Sequence, residues 1–183
     1  MKKLLIGAVV GGILIFIWQF LSWTIFDLHR PSTQHAAKQD EIMGYLNNQI
    51  GKNGSYLLPN YPDGASMEAQ QAAMKSAMGK PWAIISYHET MKDTMTMNII
   101  RALLVDILMV GLFCWIASRL NPRHFSTIFL GAIFVGLIVF INVPYVTHIW
   151  FETFDLNAHL IDSIVGWGLV GIWVGWLYTR KRA

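Results

Sequence analysis

Residues 4–26 read LLIGAVVGGILIFIWQFLSWTIF, a run of 23 residues without one charged side chain. Three further apolar runs follow, at Ile99–Ala117, Phe125–Thr147 and Leu160–Tyr178. A helix needs about 20 mostly apolar residues to cross the hydrocarbon core of a bilayer. Leu4–Phe26 and the three later runs therefore predict an all-α membrane protein with four transmembrane helices.

The charges are distributed unevenly around these runs. None of the 11 acidic residues falls in residues 1–3, 118–124 or 179–183. Those three segments hold the basic residues that flank the spans: Lys2, Lys3, Arg119, Arg123, Arg180, Lys181 and Arg182. Because short basic loops stay in the cytoplasm, we expect a bacterial inner-membrane protein with cytoplasmic N- and C-termini and with residues 27–97 in the periplasm.

Several function classes are disfavoured by composition. The net charge of +3 and the pI of about 9.1 follow from membrane orientation, so we expect no nucleic-acid partner. The single cysteine, Cys114, cannot form an internal disulfide or a Cys-based zinc site. The first span is longer than the apolar part of a signal peptide and predicts an uncleaved anchor. Nucleotide-binding and nucleophile-elbow motifs are missing from the sequence.

The only long hydrophilic segment, residues 27–97, predicts a small periplasmic α+β cap inserted between the first and second spans. Turn sequences at Asn53-Gly54 and Pro62-Asp63-Gly64 separate its elements. The predicted elements are a helix from Ser32 or Thr33 to about Ile50, a strand at Tyr56–Leu58, a helix from Ser66 to Met78 and a strand at Trp82–Tyr87.

Polar side chains inside the spans are the first candidate site. Charges at bilayer depth are costly and usually face the interior of a helix bundle. Here they lie within about two helical turns of the outer end of each span, which predicts one polar layer: Gln19, Arg101, Asp106, Asn142 and Asp162. One interpretation is a proton, ion or ligand site centred on Asp106. The other is that the layer only binds helices or subunits together.

Histidine and methionine suggest a second candidate site. His148 and His159 flank the short loop between the third and fourth spans, within plausible reach of one metal. His88, Met91 and Met95 cluster before the second span, and thioether with imidazole suits Cu(I). A methionine stripe is also an adaptable apolar face. We expect no cofactor, with copper or haem as the alternatives that these side chains leave open.

Small residues indicate close helix packing. Gly7 and Gly11 are spaced four apart in the first span, and Gly168, Gly171 and Gly175 share one face of the fourth. Such residues let membrane helices approach closely, within one chain or between subunits.

The stretch from Gly11-Gly12 to Trp18, followed by Ser22-Trp23, His29 and Leu57-Leu58-Pro59-Asn60, resembles a group of small bacterial membrane proteins with no assigned activity. The resemblance covers about the first 120 residues and implies an inner-membrane setting. It carries over no catalytic residues.

From the residues, we expect a non-enzymatic accessory or assembly subunit of a larger membrane complex. Its partners would be the lipid bilayer and other membrane subunits or a second copy of the chain. The alternatives are a metal- or cofactor-binding redox component of the membrane and a small transporter centred on Asp106.

Overall fold

The computed structural model describes residues 1–180, and four helices in that range are long and apolar enough to span a membrane. They are Lys2–Ile25, Met95–Ser118, Phe125–Trp150 and Leu156–Thr179. These helices indicate a membrane protein, as the sequence predicts. Lys181 and Arg182, counted above among the basic flanks, lie outside the described residues.

The chain divides into a helical unit, residues 1–34 and 94–180, and a smaller unit, residues 35–93. Residues 27–34 thus fold with the helices. In chain order the elements are α1 (Lys2–Phe20), a π-helical turn (Leu21–Ile25), a 3-10 turn (Arg30–Ser32), α2 (Gln39–Gln49), β1 (Gly54–Leu58), α3 (Met67–Ala77), β2 (Ala83–Tyr87), α4 (Met95–Ser118), α5 (Phe125–Phe140), a second π-helical turn (Ile141–Tyr145), α6 (Val146–Trp150) and α7 (Leu156–Thr179).

The helical unit packs in the order α4–α1–α7–α5, so α4 and α5 are its edge helices. We call the end at which α1 begins and α7 ends the proximal end, and the opposite end the distal end. Large apolar side chains from the four helices fill the interior, among them Val110, Phe113, Ile128, Trp167 and Leu177. The second π-helical turn contains Pro144, which has no backbone N–H to continue an α-helix.

Glycines occur where the helix backbones come closest. A Cβ built on Gly7 or Gly11 would lie 2.7 Å from a side chain of α4, and one on Gly171 or Gly175 would lie about 3 Å from α5. Gly168 has more room, since its nearest neighbour would be 3.7 Å away. The tightest contact between α1 and α4 is at Gly12, where a Cβ would lie 2.6 Å from the Cα of Ile107.

We expect Gly12→Ala to lower the free energy of unfolding by about 1–3 kcal/mol, the usual cost of overpacking a tight contact. The added methyl group would meet the backbone of Ile107, which cannot move aside as a side-chain end can. Thermal unfolding in detergent measures the loss. Gly168→Ala is the matched control and should change stability little. Equal effects of the two substitutions would contradict the proposed close approach of α1 and α4.

The smaller unit has the two strands and two helices that the sequence predicts. β1 and β2 pair antiparallel, with Gly54 opposite Tyr87 and Leu58 opposite Ala83. Ser66 caps α3, its hydroxyl accepting a hydrogen bond from the Ala69 N–H. The first helix of the unit begins at Gln39, later than the predicted start at Ser32 or Thr33, because residues 30–32 form a 3-10 turn in the helical unit.

Candidate metal centre

The segment after α1 turns back over the distal end of the helices. The π-helical turn ends near Phe26, and Asp27 adopts a left-handed conformation with φ of 49°. The Leu28 N–H then donates to the Ser22 carbonyl at 3.0 Å, one residue further back than in the usual helix C-terminal motif, which fits the wider π-helical turn before it. His29 directly precedes the 3-10 turn. This local geometry places an imidazole beside the start of α7.

His29 is buried, with 1% of its surface exposed, and both of its ring nitrogens contact carboxylates of α7 or its cap. Nδ1 lies 2.8 Å from Asp155 Oδ2, and Nε2 lies 2.9 Å from Asp162 Oδ2. The contacts join residues more than 120 positions apart in sequence. His29 therefore connects the end of α1 to the beginning of α7.

The partners of His29 share one face of α7 and its N-cap. Asp155, His159 and Asp162 are spaced i, i+4 and i+7, which aligns side chains along one side of a helix. The Nε2 atom of His159 lies 3.4 Å from the same Asp155 oxygen that contacts His29. Two imidazoles thus converge on a single carboxylate oxygen.

Two tryptophans of the first span fix the orientation of this group. The Trp23 ring stacks on His29, with centroids 4.0 Å apart and planes 5° from parallel. The Trp18 Nε1–H donates to Asp162 Oδ1 at 3.0 Å. Since the indole N–H is only a donor, Asp162 accepts on one oxygen from Trp18 and can accept on the other from His29.

Electrostatics keep Asp155 ionised. Burial by itself raises the pKa of this carboxyl group. Hydrogen bonds with His29 and Ser32, together with the charges of His159 and His29, outweigh burial and lower the pKa below its ordinary value. An ionised carboxylate between two imidazoles is a ready metal ligand.

The ligand atoms of His29, Asp155 and His159 all lie within 4.8 Å of one another. Tetrahedral zinc with bonds of about 2.0 Å holds its ligand atoms about 3.3 Å apart. The distance of 3.4 Å between His159 and Asp155 matches this value. The distance of 2.8 Å between His29 and Asp155 would have to open by about 0.5 Å. Since the ligand atoms are spread over as much as 4.8 Å, binding of an ion would need side-chain movements of up to about 1.5 Å.

The predicted polar layer is divided between two helix interfaces. The Gln19 Nε2 donates to Asp106 Oδ1 at 3.3 Å, joining α1 to α4. Asp162 instead contacts Trp18 and His29, at the interface of α1 with α7. Arg101 and Asn142 are exposed on the surface of the helical unit.

The residues predicted as metal ligands are divided between the two units of the chain. His159 belongs to the group described above, whereas the His148 Nδ1 accepts from the Thr153 backbone N–H at 3.1 Å. His88 and Met91 are exposed in the smaller unit, and Met95 is exposed at the start of α4. Copper binding by His88, Met91 and Met95 is not tested by these positions and stays a prediction.

Sequence reasoning did not select His29 and Asp155 as site residues. The i, i+4, i+7 spacing of Asp155, His159 and Asp162 is a sequence pattern that places these three residues on one helix face. No sequence pattern indicates that His29 joins them, because its position depends on the turn at Asp27.

No protein-family model matches the chain, and no curated protein or solved structure matches it either. The functional argument therefore depends on the geometry of this chain.

Proposed function

We propose that the protein binds a divalent transition-metal ion, best matched by zinc, at the distal end of its helical unit. The ligands are His29 Nδ1, Asp155 and His159 Nε2. Imidazole nitrogen and carboxylate oxygen are ordinary zinc ligands, and imidazole also suits iron, nickel and copper. The four apolar helices indicate a membrane protein. The proposed ion would be a functional part of that membrane protein.

One observation carries this proposal: the environment of the other nitrogen of His29. A metal-binding histidine usually donates its remaining ring N–H to a carboxylate, which fixes the tautomer and orients the ring. The His29 Nε2 is 2.9 Å from Asp162, which is itself held by Trp18. Asp162 can accept the His29 Nε2–H, so an ion could replace the Nδ1 proton that is hydrogen-bonded to Asp155 while the ring keeps its orientation.

The number of ligands favours a reactive ion over a purely structural one. Structural zinc sites close all four positions with protein ligands, whereas catalytic sites have three and leave the fourth for water or substrate. His29, Asp155 and His159 supply three. A fourth position would be free for a water molecule or an exogenous ligand.

The test is zinc titration of the purified protein in a nonionic detergent, with dialysis to count bound ions. We expect one zinc ion per chain. At a free zinc concentration about 100 times the dissociation constant, the free energy of unfolding should rise by about 2.7 kcal/mol. A chelator should reverse the gain. Unchanged thermal unfolding together with no retained zinc would refute the proposal.

We also propose that the distal end faces the periplasm. Basic residues at the proximal end support this orientation, because positive charge near spans favours the cytoplasm. Three of them lie over aromatic rings: Arg119 over Trp115 at 4.8 Å, Arg123 over Tyr178 at 5.9 Å and Arg180 over Trp176 at 4.5 Å. Arginine and aromatic side chains are typical anchors at a membrane surface.

Cysteine labelling in intact Gram-negative cells tests the orientation. We expect Lys52→Cys, on the exposed surface of the smaller unit, to react with a membrane-impermeant maleimide. Asn121→Cys, in the loop between α4 and α5, should react only after the cells are opened. The buried native Cys114 adds little background. The reverse pattern of labelling would show the opposite orientation.

A second candidate function is that of a subunit in a larger membrane complex. Arg101 and Asn142 favour it, since both are exposed at depths where polar groups usually find a partner. A photoreactive amino acid at either position should crosslink to one discrete protein, whereas the same group at Ile172, exposed on α7, should not. A monomeric native mass without crosslinks would count against this function.

A further inference from the structure

A cavity of about 500 Å³ lies in the distal half of the helical unit. α1 and α7 form its floor, and α4 and α5 form its two walls. A second cavity, of about 420 Å³, lies between α4 and α5 alone. Because α4 and α5 are the edge helices and both contribute to the lining, the first cavity is a cleft in the gap between them.

The lining of this cleft is amphipathic. Ile15, Phe16, Met109 and Val139 contribute apolar walls. The polar part of the lining includes His159 and Asp162, which belong to the candidate metal centre. The cleft therefore reaches one proposed ligand, His159, and the outer-shell carboxylate Asp162.

The position of the cleft restricts its occupant. Its walls belong to spans, so the surrounding solvent is the acyl-chain region of a bilayer. Water finds few partners in the apolar part of the cleft, and an acyl chain can fill that part. The volume falls within the range of about 300–1,000 Å³ that is usual for small-ligand sites. A transmembrane helix, about 10 Å across with its side chains, needs a larger groove.

The charge of the centre restricts the head group. A divalent ion with two neutral histidines and ionised Asp155 has a first-shell charge of +1. A monoanion neutralises that charge. The carboxylate of Asp162 disfavours a dianion, and the residues that line the cleft among the described positions include no Lys or Arg to compensate one.

We infer that the cleft binds a long-chain carboxylate, with its acyl chain between α4 and α5 and its carboxylate at the open position of the metal. This inference rests on the proposed metal centre. It adds a ligand class, an unesterified fatty acid drawn from the membrane, and it assigns the gap between α4 and α5 as the route of entry.

The test uses Co²⁺ in place of zinc in the full-length protein in lipid nanodiscs. Visible absorption of Co²⁺ reports both its binding and any change of its fourth ligand. We expect dodecanoate to change the spectrum and dodecan-1-ol, with the same chain and no charge, to leave it unchanged. Dodecyl phosphate should act more weakly than dodecanoate.

Ala102→Phe provides the matched substitution. Ala102 lines the cleft and contacts no proposed ligand atom, so the added ring should obstruct the chain. We expect an apparent affinity for dodecanoate about tenfold lower, in line with the cost of overcrowding a packed site, with Co²⁺ affinity unchanged. Leu108→Phe, exposed on α4 outside the cleft, should behave as the unsubstituted protein.

The outcomes separate the two proposals. Failure to bind Co²⁺ would refute the metal centre. Bound Co²⁺ whose spectrum ignores dodecanoate would overturn only the fatty-acid inference. The fatty-acid inference would also be overturned if Ala102→Phe and the unsubstituted protein bound dodecanoate with equal affinity. The anion would then reach the ion without using the cleft.

Discussion

The His29→Ala variant is expected to lose zinc binding almost completely. His29 supplies one of three proposed protein ligands, and it is the only one that comes from outside α7 and its cap. The loss in affinity should exceed the roughly 10–100-fold that removal of an outer-shell partner costs. Zinc titration monitored by thermal unfolding measures it, since the variant should gain no stability from zinc.

His148→Ala is the matched control for this experiment. His148 lies in α6, just before the segment that leads to Asp155, and its ring contacts Thr153 and no member of the candidate metal centre. We expect unchanged zinc affinity. The alternative interpretation is that the buried His29 only links two carboxylates and binds no metal. On that account His29→Ala destabilises the protein equally with and without zinc, and the unsubstituted protein gains nothing from zinc.

Asp162→Asn is expected to weaken zinc binding by about 10–100-fold, although Asp162 is not a ligand. The carboxylate accepts from Trp18 on one oxygen and faces the His29 Nε2 on the other. Asparagine has an NH2 donor in place of one of these two oxygens, so it cannot accept at both positions. Either the indole or the imidazole loses its partner, and the negative charge that supports the His29 tautomer is gone.

Asp106→Asn is the control for charge removal. Asp106 is a buried carboxylate whose partner on α1 is Gln19, at the interface with α4, whereas Asp162 is partly buried. We expect insertion into the membrane and zinc affinity to remain unchanged. If Asp106→Asn weakens zinc binding as much as Asp162→Asn, the effect would be general to buried charge and would not support an outer-shell role.

The spans were predictable because their length and apolar composition are local properties of the sequence. The division of the polar layer was not, and α1 shows why. Trp18 and Gln19 are adjacent residues, so they point about 100° apart around a helix. One therefore faces α7 and the other α4. The number of residues between a polar side chain and the end of its span gives its depth in the membrane. It does not show which neighbouring helix that side chain faces.

The site was predictable only in part for a related reason. Asp155, His159 and Asp162 lie on one helix, and their spacing alone places them together. His29 joins them through a left-handed residue at Asp27 and a 3-10 turn, both after a π-helical turn. Aspartate adopts that conformation only occasionally, so the sequence does not predict the reversal of the chain.

X-ray absorption at the zinc edge of the purified, zinc-loaded protein tests the central claim most directly. The proposed ligand set predicts only nitrogen and oxygen neighbours at about 2.0–2.2 Å, with outer-shell scattering from two imidazoles. The imidazole signal should fall in the His159→Ala variant. A sulfur neighbour at about 2.3 Å, or a zinc-treated sample that retains no metal, would contradict a centre built from His29, Asp155 and His159.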